Sequence, residues 1–405
     1  MKILYILQQS VFNNKGKWIS ADSNINMMVG MIESLKDNLE FWNKLECIDI
    51  IISNLEDFED IHSYSELIDD EKVNFISYNF FVDSVINRQH FDAHFWTKIL
   101  NNNYDIVINN ITELSRNIKT ILSYKKLKSK LITQCFWMDT PHINEAKVPI
   151  EYSYDWRQID GYECSDLCTF TCQSTKKAFM DNLFNKFDNI SLLNKIENKS
   201  TIWDFGYSQK EANKHKGIKY VNNKKLILFL NRLSGINYTH YLEFIEALKI
   251  LKEKYRRNDF SVMFTNPSGK ISVEWLQENV PNYISLEKSL NREEYWKLLY
   301  RGNISVHLYT IERYSGCALR ESIAAGNMPV VAKCFEQQYL VPNDNLLIPV
   351  QEDKSIKAED IAKSLLYALD NIYIQTMEYV KDQNYYKSSF ESVSDKVIED
   401  INKLL

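Results

Sequence analysis

Short apolar runs alternate along the chain with longer stretches in which apolar positions recur at helical spacing. KILYIL (2–7) predicts a buried first strand, and a polar loop, NNKGKW, separates it from a helical pattern that starts near Ser23, NINMMVGMIESL. CIDIIIS (47–53), VNFISY (73–78), YDIVINN (104–110), KLITQCFW (130–137) and LCTFTC (167–172) predict further strands. A helix is expected after Ser174, a residue suited to an N-cap. Strand and helix alternating in this way predict βαβ units and a mostly parallel sheet.

The pattern breaks at TIWDFGYSQKEANKHKGIKYVNNKK (201–225), which reads as a polar, loop-like junction. A second series follows at once. Strands are expected at KLILFLN (225–231), FSVMFTN (260–266), ISVHLY (304–309), MPVVA (328–332) and NLLIPV (345–350). Helices are expected at THYLEFIEALKILKEKY, from Asn291, where N-R-E-E offers a capping box with Glu294, and at AEDIAKSLLYALDNI. The expected organisation is an α/β domain over 1–206, a second over 207–375, and a helical tail over 376–405 that packs back toward the first domain. Parallel strands would turn their carboxyl ends toward a cleft between two such domains, where a ligand is expected.

Composition narrows the class. A chain of 405 residues is long for one core, and 45% hydrophobic with 25% charged residues fits a globular protein. Only 10 glycines and 7 prolines exclude collagen-like and linker-rich chains. Residues 1–200 carry 21 Lys+Arg against 28 Asp+Glu, and residues 201–405 carry 27 against 26. An acidic first half speaks against a polyanion-gripping surface, leaving Lys125, Lys126, Lys128 and Lys130 as a local basic exception. No run approaches a membrane span, and MKILYILQQSVF reads as a strand rather than a signal peptide, so a cytoplasmic protein is expected. Seven cysteines fit a reducing compartment. Cys164, Cys168 and Cys172 lack the paired spacing of a metal site, and Cys168, Phe170 and Cys172 alternate with threonines as in a half-buried strand.

One stretch, ERYSGCALRESIAAGNMPVVA (312–332), carries more chemistry than packing requires. Cys317–Ala325 reads as a helix, with Leu319 and Ile323 facing the sheet and Gly326 as its left-handed stop. Gly316 then sits at the helix start, where backbone amides and the dipole favour an anion such as a diphosphate. Glu321 leans toward that end and could accept hydroxyl hydrogen bonds from a ribose, while Glu312 could do the same for a sugar. Each glutamate taken alone also fits a solvated position.

The combination resembles the donor-binding signature of retaining GT-B glycosyltransferases of the glycogen-synthase-like "group 1" type: E-x-F-G, four residues, E-A, then A-x-G-x-P-V. LFLNRLSG (228–235), LNREEYWKLLYRGNISVHLY, and LCTFTCQSTKKAFMDNL with IWDFGYS resemble further parts of that family. The resemblance implies two Rossmann-like domains facing a cleft. It assigns the donor diphosphate to Arg232 and to the amides of Ser315, Gly316, Cys317 and Ala318, the ribose to Glu321, and the sugar hydroxyls to Glu312. Here the two glutamates are nine apart rather than eight, with one extra residue between Glu312 and Gly316. Asn237 stands where the family has a lysine, which shifts charge neutralisation toward Arg232, the helix terminus or Lys270. The first strand also lacks the family's glycine pair. In QCFWMDTPHINE (134–145), His142 is implied as a catalytic candidate beside Glu312, and Asp139 as an acceptor-side residue, although D-T-P-H is also an ordinary turn.

The implied reaction moves a sugar from a nucleoside-diphosphate donor to an acceptor hydroxyl with retention. No metal cofactor is implied, and the acceptor is expected to be a glycan, a lipid-linked acceptor or a protein. Two alternatives stay open. One is glycosylation of a modified base in DNA or RNA, with Phe136, Trp137, Trp156 and Trp203 as stacking platforms. The other is a nucleotide-sugar epimerase or binding protein of the same fold.

Overall fold

The computed structural model describes residues 1–7, 23–53, 70–78, 91–135, 154–187, 189–204, 206–216, 224–231, 239–265, 281, 283–287, 290–310, 316–341, 343–379 and 389–405. The chain forms two compact units, Met1–Phe205 with Phe390–Leu405, and Gly206–Ser389.

In the first unit the strands are β1 (Lys2–Ile6), β2 (Cys47–Ser53), β3 (Val73–Tyr78), β4 (Ile106–Asn109), β5 (Lys130–Cys135), β6 (Leu167–Phe170) and β7 (Ser200–Ile202). Its helices are α1 (Ser23–Asp37), α2 (Leu39–Lys44), α3 (Ala93–Leu100), α4 (Ser115–Tyr124), α5 (Tyr154–Cys164), α6 (Gln173–Phe187) and α7 (Ile190–Glu197). The strands form one sheet in the order β3-β2-β1-β4-β5-β6-β7, and every neighbouring pair is parallel. A parallel sheet is covered on both faces, so its central strands are buried on both sides. Leu4, Tyr5 and Ile6 are all buried, as are Ile106, Val107 and Ile108. Leu4, Ile6, Val107 and Leu131 pack with Trp96 and Leu100 of α3 and Ile118 and Leu122 of α4.

The second unit contains α8 (Gln209–Lys214), β8 (Lys225–Phe229), α9 (Tyr241–Glu253), β9 (Phe260–Thr265), β10 (Ile284–Glu287), α10 (Arg292–Arg301), β11 (Ile304–His307), α11 (Cys317–Ala324), β12 (Met328–Ala332), β13 (Leu347–Ile348) and α12 (Ala358–Tyr379). Its sheet, β10-β9-β8-β11-β12-β13, is again all parallel. The first and last segments of this unit meet in a parallel bridge between Tyr207 and Ser389. The chain then closes with α13 (Phe390–Leu404), which packs on α1 in the first unit.

The two α/β series and the capping box at Asn291 stand as expected: the Asn291 side chain accepts from the Glu294 amide at 2.9 Å, and Glu294 accepts from the Asn291 amide at 3.0 Å. Other expectations need correction. The stretch read as a loop from 201 holds the end of β7 and all of α8, whose Ser208 cap accepts from the Glu211 amide at 3.1 Å. LCTFTC is not half-buried: β6 lies between β5 and β7, and Cys168, Thr169 and Phe170 are all buried. NLLIPV contributes only the two residues of β13, because Asp344–Leu346 turns as a 3-10 helix. Trp203 is no stacking platform, since it is fully buried and its indole donates to Asp400 at 3.0 Å. Phe136, Trp137 and the side chain of Trp156 lie outside what is described.

Candidate functional site

Both sheets reverse their strand order once. In the second unit β8, β9 and β10 step one way and β11 takes the other side of β8, so the carboxyl ends of β8 and β11 flank a topological switch point. Ligands of open α/β sheets bind at such a place, because loops leaving adjacent strands there part to opposite faces. The segment that follows β8 carries Arg232, and the segment that follows β11 carries Glu312 to Gly316. The described residues next to these two strand ends are Leu230 and Asn231 after β8 and Leu308, Tyr309 and Thr310 after β11.

A hydrogen bond joins their described ends. His240, at the entry to α9, shares a 2.9 Å bond from Nε2 with Oγ1 of Thr310. His240 has φ +48°, a conformation that L-residues rarely hold without compensation. Burial pushes its pKa down, against the pull of Glu243. Just after β8, Asn231 is fully buried, and among the described residues neither atom of its amide has a partner. An orphaned amide of this kind costs about 1–3 kcal/mol, so it calls for a physical account.

Gly316 opens α11 at φ +57° and ψ +87°. Among the described residues a Cβ there would meet only Leu319, at 3.6 Å, so the dihedral rather than crowding selects glycine. Its carbonyl accepts from the amides of Leu319 and Arg320 at 3.0 and 3.2 Å, and the helix runs to Ala324 before Gly326 at φ +78°. Cys317 and Ala318 therefore occupy the first turn, where helical geometry supplies amides with no intrahelical acceptor. Leu319 and Ile323 are buried in the sheet-facing core, as their spacing predicts. Ser322 fastens the same face to β11 through a 2.8 Å bond with Ser305 and a 3.4 Å contact with His307.

Glu321 is not a solvated helix residue: it is buried. Its Oε1 accepts from Nη2 of Arg292, the first residue of α10, at 2.5 Å, and the neighbouring Tyr295 also favours the charged form of the carboxylate. Arg292 also holds Glu211 of α8, with Nη2 at 2.6 Å and Nε at 2.9 Å from Oε2. The Trp296 indole donates to that oxygen at 2.9 Å. The guanidinium lies 5.5 Å from the Trp296 ring and 5.7 Å from the Tyr295 ring. Burial raises the pKa of Glu321 against the pull of Arg292. Burial acts on Glu211 in the same direction, but there Arg292 and Trp296 prevail and the carboxyl stays below its ordinary value.

Of the residues singled out from sequence, Gly316, Cys317, Ala318 and Glu321 are placed together on α11. Arg232, Ser315, Glu312, Asp139 and His142 lie outside the described residues, as do Asn237 and Lys270. Arg292, Glu211, Asn231 and His240 were not found by sequence reasoning. A signal existed for Arg292 alone, which stands inside the capping-box segment. Among the described residues no cluster of His, Cys, Asp or Glu could hold a metal ion, and no helix is long and apolar enough to cross a membrane.

No family model matches the chain, and no curated protein matches it. Solved structures match it over its whole length. The chain is similar to a trehalose-6-phosphate protein from E. coli bound with UDP-2-fluoro glucose, at TM-score 0.67 and 14% identity, with 100% of both chains covered. It is similar to HepE from Anabaena in complex with UDP, at 0.66 and 11%, again with 100% of both covered. It is similar to a glycosyltransferase from Rickettsia africae ESF-5, at 0.65 and 14%, covering 100% of this chain and 98% of that one. At such identities the likeness carries fold alone. The chain has the two-domain, Rossmann-like GT-B fold of these glycosyltransferase structures.

Proposed function

We propose that the protein is a retaining glycosyltransferase that moves a sugar from a nucleoside-diphosphate donor to the hydroxyl of a glycan, lipid-linked or protein acceptor. The observation that carries the reading is the glycine-led α11 at the switch point, with a buried carboxylate, Glu321, behind its first turn. Arg232 and the first-turn amides of α11 would take the diphosphate and stabilise its charge as it leaves. Glu321 would accept the ribose hydroxyls, and Glu312 those of the sugar. His142 and Asp139 keep their assignments on the acceptor side from the family resemblance. The amide of Asn231, next to Arg232 and unpartnered among the described residues, fits a polar ligand at the switch point. No metal enters the proposed step, and a transfer rate unchanged by a chelator is expected.

Solved structures of the same fold hold UDP or a UDP-sugar analogue, so uridine nucleotides come first in the test. Thermal unfolding of the full chain with UDP, GDP, CDP or ADP, each with its common sugars, should show stabilisation by one nucleotide series. A ligand at a hundredfold excess over its Kd adds about 2.7 kcal/mol. Glu321→Ala and Arg232→Ala should each abolish the shift. No stabilisation by any of the four would overturn the reading. Nucleotide release that does not depend on acceptor, or sugar isomerisation without transfer, would favour a binding protein or an epimerase instead. The anomeric configuration of the product, read by NMR, tests retention.

A further inference from the structure

Glu321 is held by a side chain that no family resemblance assigned. Arg292 reaches two carboxylates at once, Glu211 through Nε and Nη2 and Glu321 through Nη2 alone. Glu211 is doubly anchored, because the Trp296 indole donates to the same oxygen, and the two aromatic rings of α10 lie against the guanidinium. The cation is therefore fixed from the Glu211 side and extends one N–H toward Glu321. One guanidinium shared between a partly exposed Glu211 and a buried Glu321 leaves the buried carboxylate incompletely compensated, which is unfavourable unless further hydrogen-bond donors arrive. A neutral diol supplies such donors; a second anion would be repelled.

We propose that Arg292 is a positioning residue: clamped by Glu211, it fixes the orientation and charge of the Glu321 carboxylate that receives the vicinal hydroxyls of the donor ribose. This rests on the ribose role given to Glu321 above and adds what makes that role possible. The groups facing Glu321 are Arg292 and Tyr295 from α10 and Glu211 from α8, with Cys317 of α11 acting on Tyr295 and His215 on Glu211. Burial favours the protonated acid at Glu321, and Arg292 opposes it. A protonated Glu321 would spend one oxygen as a donor and could no longer accept from both hydroxyls.

The test is binding of UDP, GDP, CDP and ADP and of their 2′-deoxy counterparts to the full chain by calorimetry between pH 6 and 8.5. The native protein should prefer the ribonucleotide by about tenfold or more. Arg292→Lys keeps a cation but loses the planar fork. It should weaken ribonucleotide binding about tenfold and the 2′-deoxy form, which keeps its 3′-hydroxyl, by less, so that the preference shrinks. Arg292→Met removes the cation that opposes protonation of Glu321, so it should show the same loss of preference, deepest at the lowest pH. A folded Arg292→Lys that keeps the native preference overturns the inference, and this variant decides the matter if the methionine variant does not fold. Glu321→Gln separates the two levels. If it loses the preference while Arg292→Lys keeps it, only the role of Arg292 falls. If both keep it, the ribose role of Glu321 falls with it, and if the native chain binds no nucleotide, both proposals fall.

Discussion

His307 sits on β11 beneath the candidate site, fully enclosed, with Ser322 as its polar neighbour. Burial pushes its pKa down to about 3. An unfolded histidine titrates near 6.5, so the unfolded chain binds the extra proton first as pH falls. The corresponding stability is therefore complete above about pH 6.5 and is lost progressively toward pH 3, amounting to about 2 kcal/mol by pH 5. His307→Gln should flatten the fall in thermal stability between pH 7 and 5 relative to the native chain. An unchanged slope would mean that the imidazole takes up its proton without unfolding. Asn231 makes a different prediction at the same scale. Because its amide is buried and without partners among the described residues, Asn231→Ala should leave the ligand-free protein as stable or more so, by about 1 kcal/mol, while weakening nucleotide binding. A loss of stability with unchanged binding would show that the amide is structural.

Among the elements, α11 depends on how it starts. Gly316→Ala forces a Cβ into φ +57°, which costs about 1–2 kcal/mol, and it turns the first-turn amides away from their direction. Nucleotide binding should fall by more than stability does, which paired calorimetric and unfolding measurements would resolve. The helix was legible because its signals are local: the glycine before it, the apolar pair Leu319 and Ile323, and Gly326 after it. The strands were legible for the same reason, as in CIDIIIS and MPVVA, whose β-branched runs match β2 and β12 to the residue. The short helix α8 was not. QKEANK shows no apolar face beyond Ala212, and what holds it is tertiary, namely Arg292 and Trp296 on Glu211 and the Tyr300 hydroxyl on the Ala212 carbonyl. The same holds for the site. Glu321 could be singled out from its distance to Gly316, but Glu211 and Arg292 are brought to it from far along the chain, and no spacing encodes that. Likewise β6 looked half-buried because alternation of Cys and Thr suggests a wet face; small hydroxyls are in fact tolerated inside, as Ser115, Thr133 and Ser165 show by bonding one another.

For the whole molecule, the sheet of the first unit is made from the first half of the chain, yet its outer layer includes α13 from the last residues. Phe390, Val393, Val397 and Ile401 bury one stripe of that helix, and Asp400 accepts from Trp203. Gly30 of α1 is a glycine because a Cβ would lie 2.2 Å from the Phe390 ring. Each buried apolar side chain of the stripe contributes about 1.5–3 kcal/mol, so removing 390–405 should cost the first unit most of its stability. Calorimetry of the truncated chain should then show one unfolding transition instead of two, with Gly30→Val producing a milder version of the same loss. Two transitions of native size in the truncated chain would show that α13 is dispensable.

That arrangement also dictates an order of events during synthesis. The ribosome finishes the seven strands of the first sheet early, but the helix that covers α1 emerges only after all of Gly206–Ser389. At about 5–20 residues per second the nascent first sheet waits roughly ten to forty seconds with part of its apolar surface unprotected. Unit two, whose ends meet at Tyr207 and Ser389, can close during that pause without the first. A chaperone bound to the growing chain should therefore be released only once Phe390–Leu404 has emerged, and damage to that helix would be felt at α1, more than 350 residues earlier.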